Sequence, residues 1–525
     1  MNKTSAEIIG NSTVLSSDLY QYTMGATWYD KKREQEMGIF NVLFRKAPDN
    51  NGWAIVCGVE QVIEMIQLLN TEDNSGARKE FFEKILPSEN GKSNKYSEYL
   101  TTMRFTGSIY AMTDGTIAFP NEVLLKVVAP IIEGQVLETP ILSILNGQMG
   151  QATAASRVCR SAGPIPVMSF GSRRAHSIMS AVYGDRAAFI GGCVSVSNIL
   201  ANEIWGIPVN GTMAHSFIQS YPLTVEGEYQ AFMDYCTTPM HKNFIMLADT
   251  LDFVNSGVYN AIRAWKACGL TNEGILRWEY ILGVRSDSGD PVYNTKFAKE
   301  VFRKNGYPDA KVVLTNGLDE NTITIIRREL DEAGVKADSL GVGDRIATSK
   351  FNPCFGGVYK LAEVNGNPTL KVSLDAIKVT NPGNQYVLRI TGNNGKFIAD
   401  IIGLEGDDTY KKLMGNEEVT IRSEVDKFKT TTLKSGAYTI KNLLIPVVVH
   451  GKVPGYAMEE NHPLKARKRL EKELTGLSQE QKRLIDPYEY KVDISNELYD
   501  LKMQTLYNIK DRVAEFDWES HGIIL

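Results

Sequence analysis

The chain has 525 residues, 43% hydrophobic and 23% charged, with a formal net charge of -5 and a pI near 5.9. These values fit a globular protein of two or three domains and argue against a nucleic-acid binder, which usually carries a basic domain. The six cysteines (Cys57, Cys159, Cys193, Cys236, Cys268, Cys354) are scattered without a C-x-x-C pair and the six histidines do not cluster, so reduced thiols and no structural metal are expected.

The opening stretch MNKTSAEIIGNSTVLSSDLY has no apolar segment of signal-peptide length, and nowhere does the chain approach the ~20 apolar residues of a membrane span. A cytoplasmic protein without a membrane partner is expected, with disorder limited to about the first twelve residues. Residues 1–140 mix strand-like stretches (MGIFNVLF, GWAIVCGV, GSIYAM, VLLKVVAP) with a helical one (VEQVIEMIQLLN). From about residue 165 to 360 a rhythm sets in. Short apolar runs end in Gly, Ser, Asn, Asp or Arg and are followed by helical patterns that often finish with glycine. Eight such runs are legible: PVMSFGSRR, AAFIGGCVSVSN, GIPVNGTMAHS, FIMLADTLD, YILGVRSDSGD, KVVLTNGLDE, DSLGVGDRIATS and FGGVYKLAEV. Their continuous apolar character suits parallel strands buried on both faces.

The fold class read from this is α/β: an irregular (β/α)8 TIM-like barrel over 141–365, inserted into an α/β domain built from 1–140 and a β-rich segment, 366–460. An open doubly wound sheet is the alternative. Residues 461–525 read as a helical tail whose charge run (LKARKRLEKELTGLSQEQKRL) is a solvated helix face.

In a barrel the strand ends share one face, and that face carries the chemistry. Arg173, His215, Asp249, Arg285, Asp287, Asn316 and Asp344 all fall just after an apolar run. Arginine forks match carboxylate and phosphate oxygens, although a lone arginine equally makes a surface ion pair. In GVRSDSGD, Arg285 and Asp287 crowd one turn, a combination suited to a polyanion with a divalent cation. GVGD (Gly343, Asp344) and FGG (Gly356, Gly357) are glycine turns after the last two runs, where barrels commonly bind phosphate, although glycine also serves tight turns.

Seven motifs in order, SSDLYQYTM, FGSRRAHS, SVSNILANEIWGIPVNGTMAHSF, LADTLDFVNSGVYNAI, GVRSDSGD, LTNGLDE and FGGVYKL, resemble the nicotinate phosphoribosyltransferase family. The likeness runs from about residue 15 into the tail. The resemblance implies a barrel inserted into a domain made of both termini, and a reaction joining nicotinate to 5-phosphoribosyl 1-diphosphate. The products are nicotinate mononucleotide and diphosphate, with ATP as co-substrate and Mg2+ bound to the substrate, in a homodimer with shared active sites. His215 matches the histidine the family phosphorylates, and Thr212 a nicotinate contact. Arg285 matches a nicotinate- or phosphate-contacting arginine. Tyr20 matches the tyrosine that covers the base from the partner subunit. Phe170 fits as a ring stacking on the pyridine, and Asp287 as the negative charge beside an oxocarbenium-like centre.

Nicotinamide phosphoribosyltransferase, which shares the architecture, is the alternative. It places an aspartate where the amide is held. The aligned position is Ser197, which can donate to a carboxylate that an aspartate would repel. Three departures from the acid enzymes stand out: SVSN for the usual Gly-Thr-Ser-Asn, Ser286 and Pro291 in GVRSDSGDP where leucines are usual, and Asp344 where a phosphate-contacting threonine is common. A carboxylate beside a phosphate is unfavourable without an intervening cation. A catalytically inactive binding protein on this fold is a further possibility.

Overall fold

Between residues 165 and 345 the apolar runs pair side by side as a parallel sheet. The structure, a computed structural model, describes residues 16–71, 75–86, 95–373, 378–423 and 428–517. The expectation of disorder in the first twelve residues lies outside these. The chain forms two units, Gly150–Pro353 and the combination of Met1–Met149 with Cys354–Leu525.

In Gly150–Pro353 the strands are β1 (Val167–Ser169), β2 (Ser195–Val196), β3 (Asn243–Leu247), β4 (Ile281–Ser286), β5 (Lys311–Leu314) and β6 (Ser339–Val342). They pair in the order β2-β1-β6-β5-β4-β3, every pair parallel. Beyond β2, Val209 adds a single parallel bridge to Val196. Pro208 accepts from the Val196 N–H (2.9 Å) but has no N–H of its own to extend the ladder. The Asn243 carboxamide, at the start of β3, donates to the Asn210 carboxamide at 3.1 Å. The two ends of the strand order are thus tied by one side-chain hydrogen bond.

The expected helices lie between these strands: Ile199–Trp205, Val258–Ala267, Pro291–Lys304 and Glu320–Glu332. The first ends at Gly206, which adopts the left-handed conformation (φ 67°) that a side chain would strain, and whose N–H reaches back to Asn202. Ala298, Phe302, Trp265 and Ile323 are buried under this layer and build the core between sheet and helices.

Three of the eight runs depart from this, GIPVNGTMAHS contributing only the Val209 bridge. AAFIGG is the end of the helix Ile178–Gly191, and only Ser195–Val196 pairs as a strand. That helix turn is buried all round, so its apolar run carries no period to separate it from a strand. FGGVYKLAEV, expected as the last barrel strand, is the strand Gly357–Val364 of the other unit, where it pairs antiparallel with Met37–Phe44.

That other unit joins both termini in one six-stranded sheet: Met37–Phe44, Ser108–Ala111 and Leu125–Pro130 pair with Gly357–Val364, Asn367–Pro368 and Ile445–Val448. A second six-stranded sheet comes from the C-terminal segment alone. The tail helix Pro463–Gly476 is not purely a solvated charged face. Ala466, Leu470 and Glu473 are buried, and Glu473 with Asp400 neutralises the buried Arg389. Among the described residues no helix is long and apolar enough to cross a membrane, and none of the six cysteines is joined in a disulfide.

A second buried ion cluster sits in Gly150–Pro353. Glu320, at the start of its helix, accepts from Arg157 (2.8 Å) and from two nitrogens of Arg345 (2.6 and 2.8 Å). Burial alone would raise the Glu320 carboxyl, but Arg345 and Arg157 outweigh it and hold it down at about 2. A depressed carboxyl contributes stability above its unfolded value and loses it as pH falls through the folded one. Stability should therefore drop as pH goes from about 4.5 to about 2. Glu320→Gln should cost roughly 3–5 kcal/mol at pH 7, as breaking a buried pair does, and flatten that part of the acid slope. Denaturant melts at several pH values read both effects.

Candidate active site

Because all the strands are parallel, their carboxyl ends lie on one edge, and the residues that follow them line a cleft of about 450 Å3. After β1 come Phe170, Ser172, Arg173 and Arg174; after β2, Ser197; after the Val209 bridge, Asn210 to Ala214. Arg285 near the end of β4 and Asp287 just after it line the cleft too, as do Thr315 to Leu318 after β5 and Gly343 and Asp344 after β6. Nine of the residues singled out from sequence, Phe170, Arg173, Ser197, Thr212, Arg285, Asp287, Asn316, Gly343 and Asp344, line this one cleft.

Arg285 is the last residue but one of β4. Its Nη1 donates to the Thr212 hydroxyl (3.3 Å) and to the Met213 carbonyl (3.1 Å), fixing the GTMAH loop against the strand. Its Nε–H is buried without a partner, an unmet donor on a cleft residue. Burial pushes the guanidinium below its ordinary value; Asp287 and Asp249 oppose this and Arg173 adds to it. Two arginines thus face a site that an anion would complete.

Asp249 ties the acidic side together. One of its oxygens lies 3.3 Å from His215 Nε2. The other accepts from the Asp287 N–H (3.0 Å) and the Ser288 hydroxyl (2.6 Å). Asp287 in turn accepts from the Thr315 hydroxyl. Asp249 is nearly buried (side chain 4% exposed) whereas His215 is 37% exposed. His215 itself is not among the lining residues, but Met213 and Ala214 before it are.

Phe170 packs on Met168, Ile245 and Val313, with Gly341 beneath its ring. A Cβ on Gly341 would lie 2.5 Å from the ring, so glycine there is what makes room for the aromatic. Asp344 opens the short helix Asp344–Ala347 and pairs with Lys350 at 3.1 Å. Burial raises this carboxyl, but Lys350 and Arg174 overcome it and hold it below the usual range. Asp344 is therefore an anion that already has its cation.

Three expected site residues lie in the other unit. Gly357 gives its N–H to the Asn146 carboxamide at 2.9 Å. Its neighbour Gly356, with φ +76°, is the turn that starts the strand. Tyr20 is exposed on the helix Leu19–Asp30; burial and a hydrogen bond to Glu138 raise its hydroxyl. Sequence reasoning gave no role to Asp249, although its place after a strand was visible. It missed Thr315, Ser172 and the buried Asp185 behind Ser172. Asp185 sits in mid-helix, where nothing local marks it.

Gly341→Ala should force the Phe170 ring out of the cleft, costing roughly 1–3 kcal/mol of stability by overpacking. The melting temperature and quenching of the site by an aromatic ligand report the two effects separately.

Family models covering the chain in three blocks match it: the nicotinate phosphoribosyltransferase N-terminal domain over 15–146, the nicotinate phosphoribosyltransferase family over 165–394, and the corresponding C-terminal domain over 384–502. Nicotinate phosphoribosyltransferase of Bacillus subtilis is 34% identical over 510 residues, 96% of this chain and 97% of that protein. The Dictyostelium discoideum protein of the same name is 28% identical over 95% of this chain and 88% of its own length. The crystal structure of human nicotinic acid phosphoribosyltransferase has the same fold, with a TM-score of 0.78 at 24% identity, covering 93% of this chain and 99% of that one.

Proposed function

The chain belongs to the nicotinate phosphoribosyltransferase family, and we propose that the strand-end cleft joins nicotinate to 5-phosphoribosyl 1-diphosphate. The products are nicotinate mononucleotide, which feeds NAD biosynthesis, and diphosphate. The observation that carries this reading is the meeting of Phe170, Thr212, Arg285 and Asp287 in one cleft from separate strand ends. An aromatic face, a hydroxyl, a cation and an anion are what a pyridine acid and a sugar diphosphate need together.

The pyridine nitrogen has a lone pair and no proton at neutral pH, so ribosyl transfer needs no general base. Phe170 stacks on the ring. Arg285 and Arg173 neutralise the anionic groups, and the Asp287 carboxylate faces the positive charge that develops at the anomeric carbon. The hard oxygens of Asp287 suit Mg2+, which when bound with the substrate neutralises the leaving diphosphate. Asp344 is paired with Lys350, so the phosphate contact in that turn falls to the backbone at Gly343.

His215 fits the ATP-coupled step. With Nε2 beside the Asp249 carboxylate, the ring proton sits on Nε2 and Nδ1 keeps a lone pair. Nδ1 attacks the γ-phosphorus of ATP; the N–P bond forms, the bond to the β-phosphate oxygen breaks and ADP leaves. Water later cleaves the N–P bond and releases phosphate. We also read the parallel sheet as an irregular barrel of seven positions, the six strands and the Val209 segment. Its one seam without backbone bonds is held by Asn210 and Asn243. The molecule works in this proposal as a homodimer, with Tyr20 contributed across the interface.

His215→Ala should abolish stimulation by ATP and leave slow transfer; mononucleotide assays with and without ATP check it, and full coupling in the variant would remove the phosphohistidine. Ser197→Asp should shift the acid-to-amide preference towards nicotinamide by about tenfold or more, as like-charge juxtaposition does. An unchanged ratio would contradict the placement of the pyridine carboxylate at Ser197.

A further inference from the structure

Behind the cleft, the helix Ile178–Gly191 buries Asp185, which is 3% exposed. Three donors converge on its carboxylate: the Ser169 hydroxyl at 2.8 Å, the Ser172 hydroxyl at 2.6 Å and the Asn198 N–H. Burial holds this carboxyl above its ordinary range, and the three donors offset only part of that. Ser172 lines the cleft, and its oxygen lies 3.5 Å from that of Ser197, which lines it too.

A hydroxyl has one proton and two lone pairs. The proton of Ser172 is held by Asp185, so Ser172 can only accept from Ser197. When it does, Ser197 shows lone pairs alone to the cleft. The N–H2 of a pyridine carboxamide complements that polarity. A pyridine carboxylate needs Ser197 to turn its proton away from Ser172 first, and meets a fixed negative charge one hydroxyl further back.

We propose that Asp185 is a specificity-determining positioning residue: it fixes the direction of the chain Ser197→Ser172→Asp185, which weakens the hold on the pyridine acid and admits a neutral pyridine carboxamide as a competitor. This rests on the placement of the pyridine substituent beside Ser197. It predicts that nicotinamide competes with nicotinate in this enzyme and that the competition depends on a residue touching neither ligand.

The test compares wild type, Asp185→Asn, Ser172→Ala and Ser197→Ala, measuring kcat, the KM for nicotinate, the KM for the phosphoribosyl donor, and inhibition by nicotinamide. Asp185→Asn removes the charge and one acceptor at nearly constant volume. The KM for nicotinate should fall roughly three- to tenfold, the effect of about one net hydrogen bond, and nicotinamide inhibition should weaken by a similar factor. The kcat and the KM for the phosphoribosyl donor should stay unchanged, which a general structural defect would not produce. Ser172→Ala, which also frees the Ser197 proton, should move both constants in the same direction and carries the test if Asp185→Asn does not fold. If Ser197→Ala alters nicotinate binding while the other two variants leave both constants unchanged, the relay is wrong and the placement of the pyridine stands. If none of the three alters either constant, the placement fails and the relay with it.

Discussion

The Asp249 carboxylate joins three segments far apart in sequence: its own β3 end, the helix that starts at His215, and the turn at Asp287 and Ser288. A nearly buried carboxylate must be matched by donors, and here those donors are site residues or their backbone. Ordering the acidic group therefore orders the imidazole and the Asp287 turn together. Strand order delivers the rest, since parallel strands put all their following loops on one edge.

Beside this acidic group the constraint is cationic. Arg285 is partly desolvated beside Arg173, a costly arrangement without anions nearby. Asp249 and Asp287 offset part of it, and an anionic ligand supplies more. The same logic separates Asp344 from the chemistry. A carboxylate in the proposed phosphate turn is tolerable because Lys350 accompanies it. Buried pairs elsewhere, Glu320 with Arg345 and Arg389 with Asp400 and Glu473, act on the scaffold; the first lies directly behind the loop that carries Gly343 and Asp344.

Much of this was readable in the sequence because strand-length apolar runs that end in polar residues have a physical meaning. FIMLAD, YILGVRSD and KVVLTN became β3, β4 and β5, and residues after β4 and β5 became part of the cleft. Reading failed where the period is lost or pairing is remote. AAFIGG is apolar on every side as a buried helix. FGGVYKLAEV has the pattern of any half-buried strand, and its antiparallel partner, Met37–Phe44, lies near the other end of the chain. Asp185 could not be found at all: its partners are two serines and a backbone N–H whose meeting depends on tertiary placement.

Phosphoribosyl transfer to a pyridine acid is the claim on which the rest stands. The most direct measurement is mononucleotide formation by the purified full chain with 5-phosphoribosyl 1-diphosphate and Mg2+, given nicotinate or nicotinamide, with and without ATP. Product from nicotinate, increased by ATP, is the expected result. Product from nicotinamide alone, or from neither base, would contradict it.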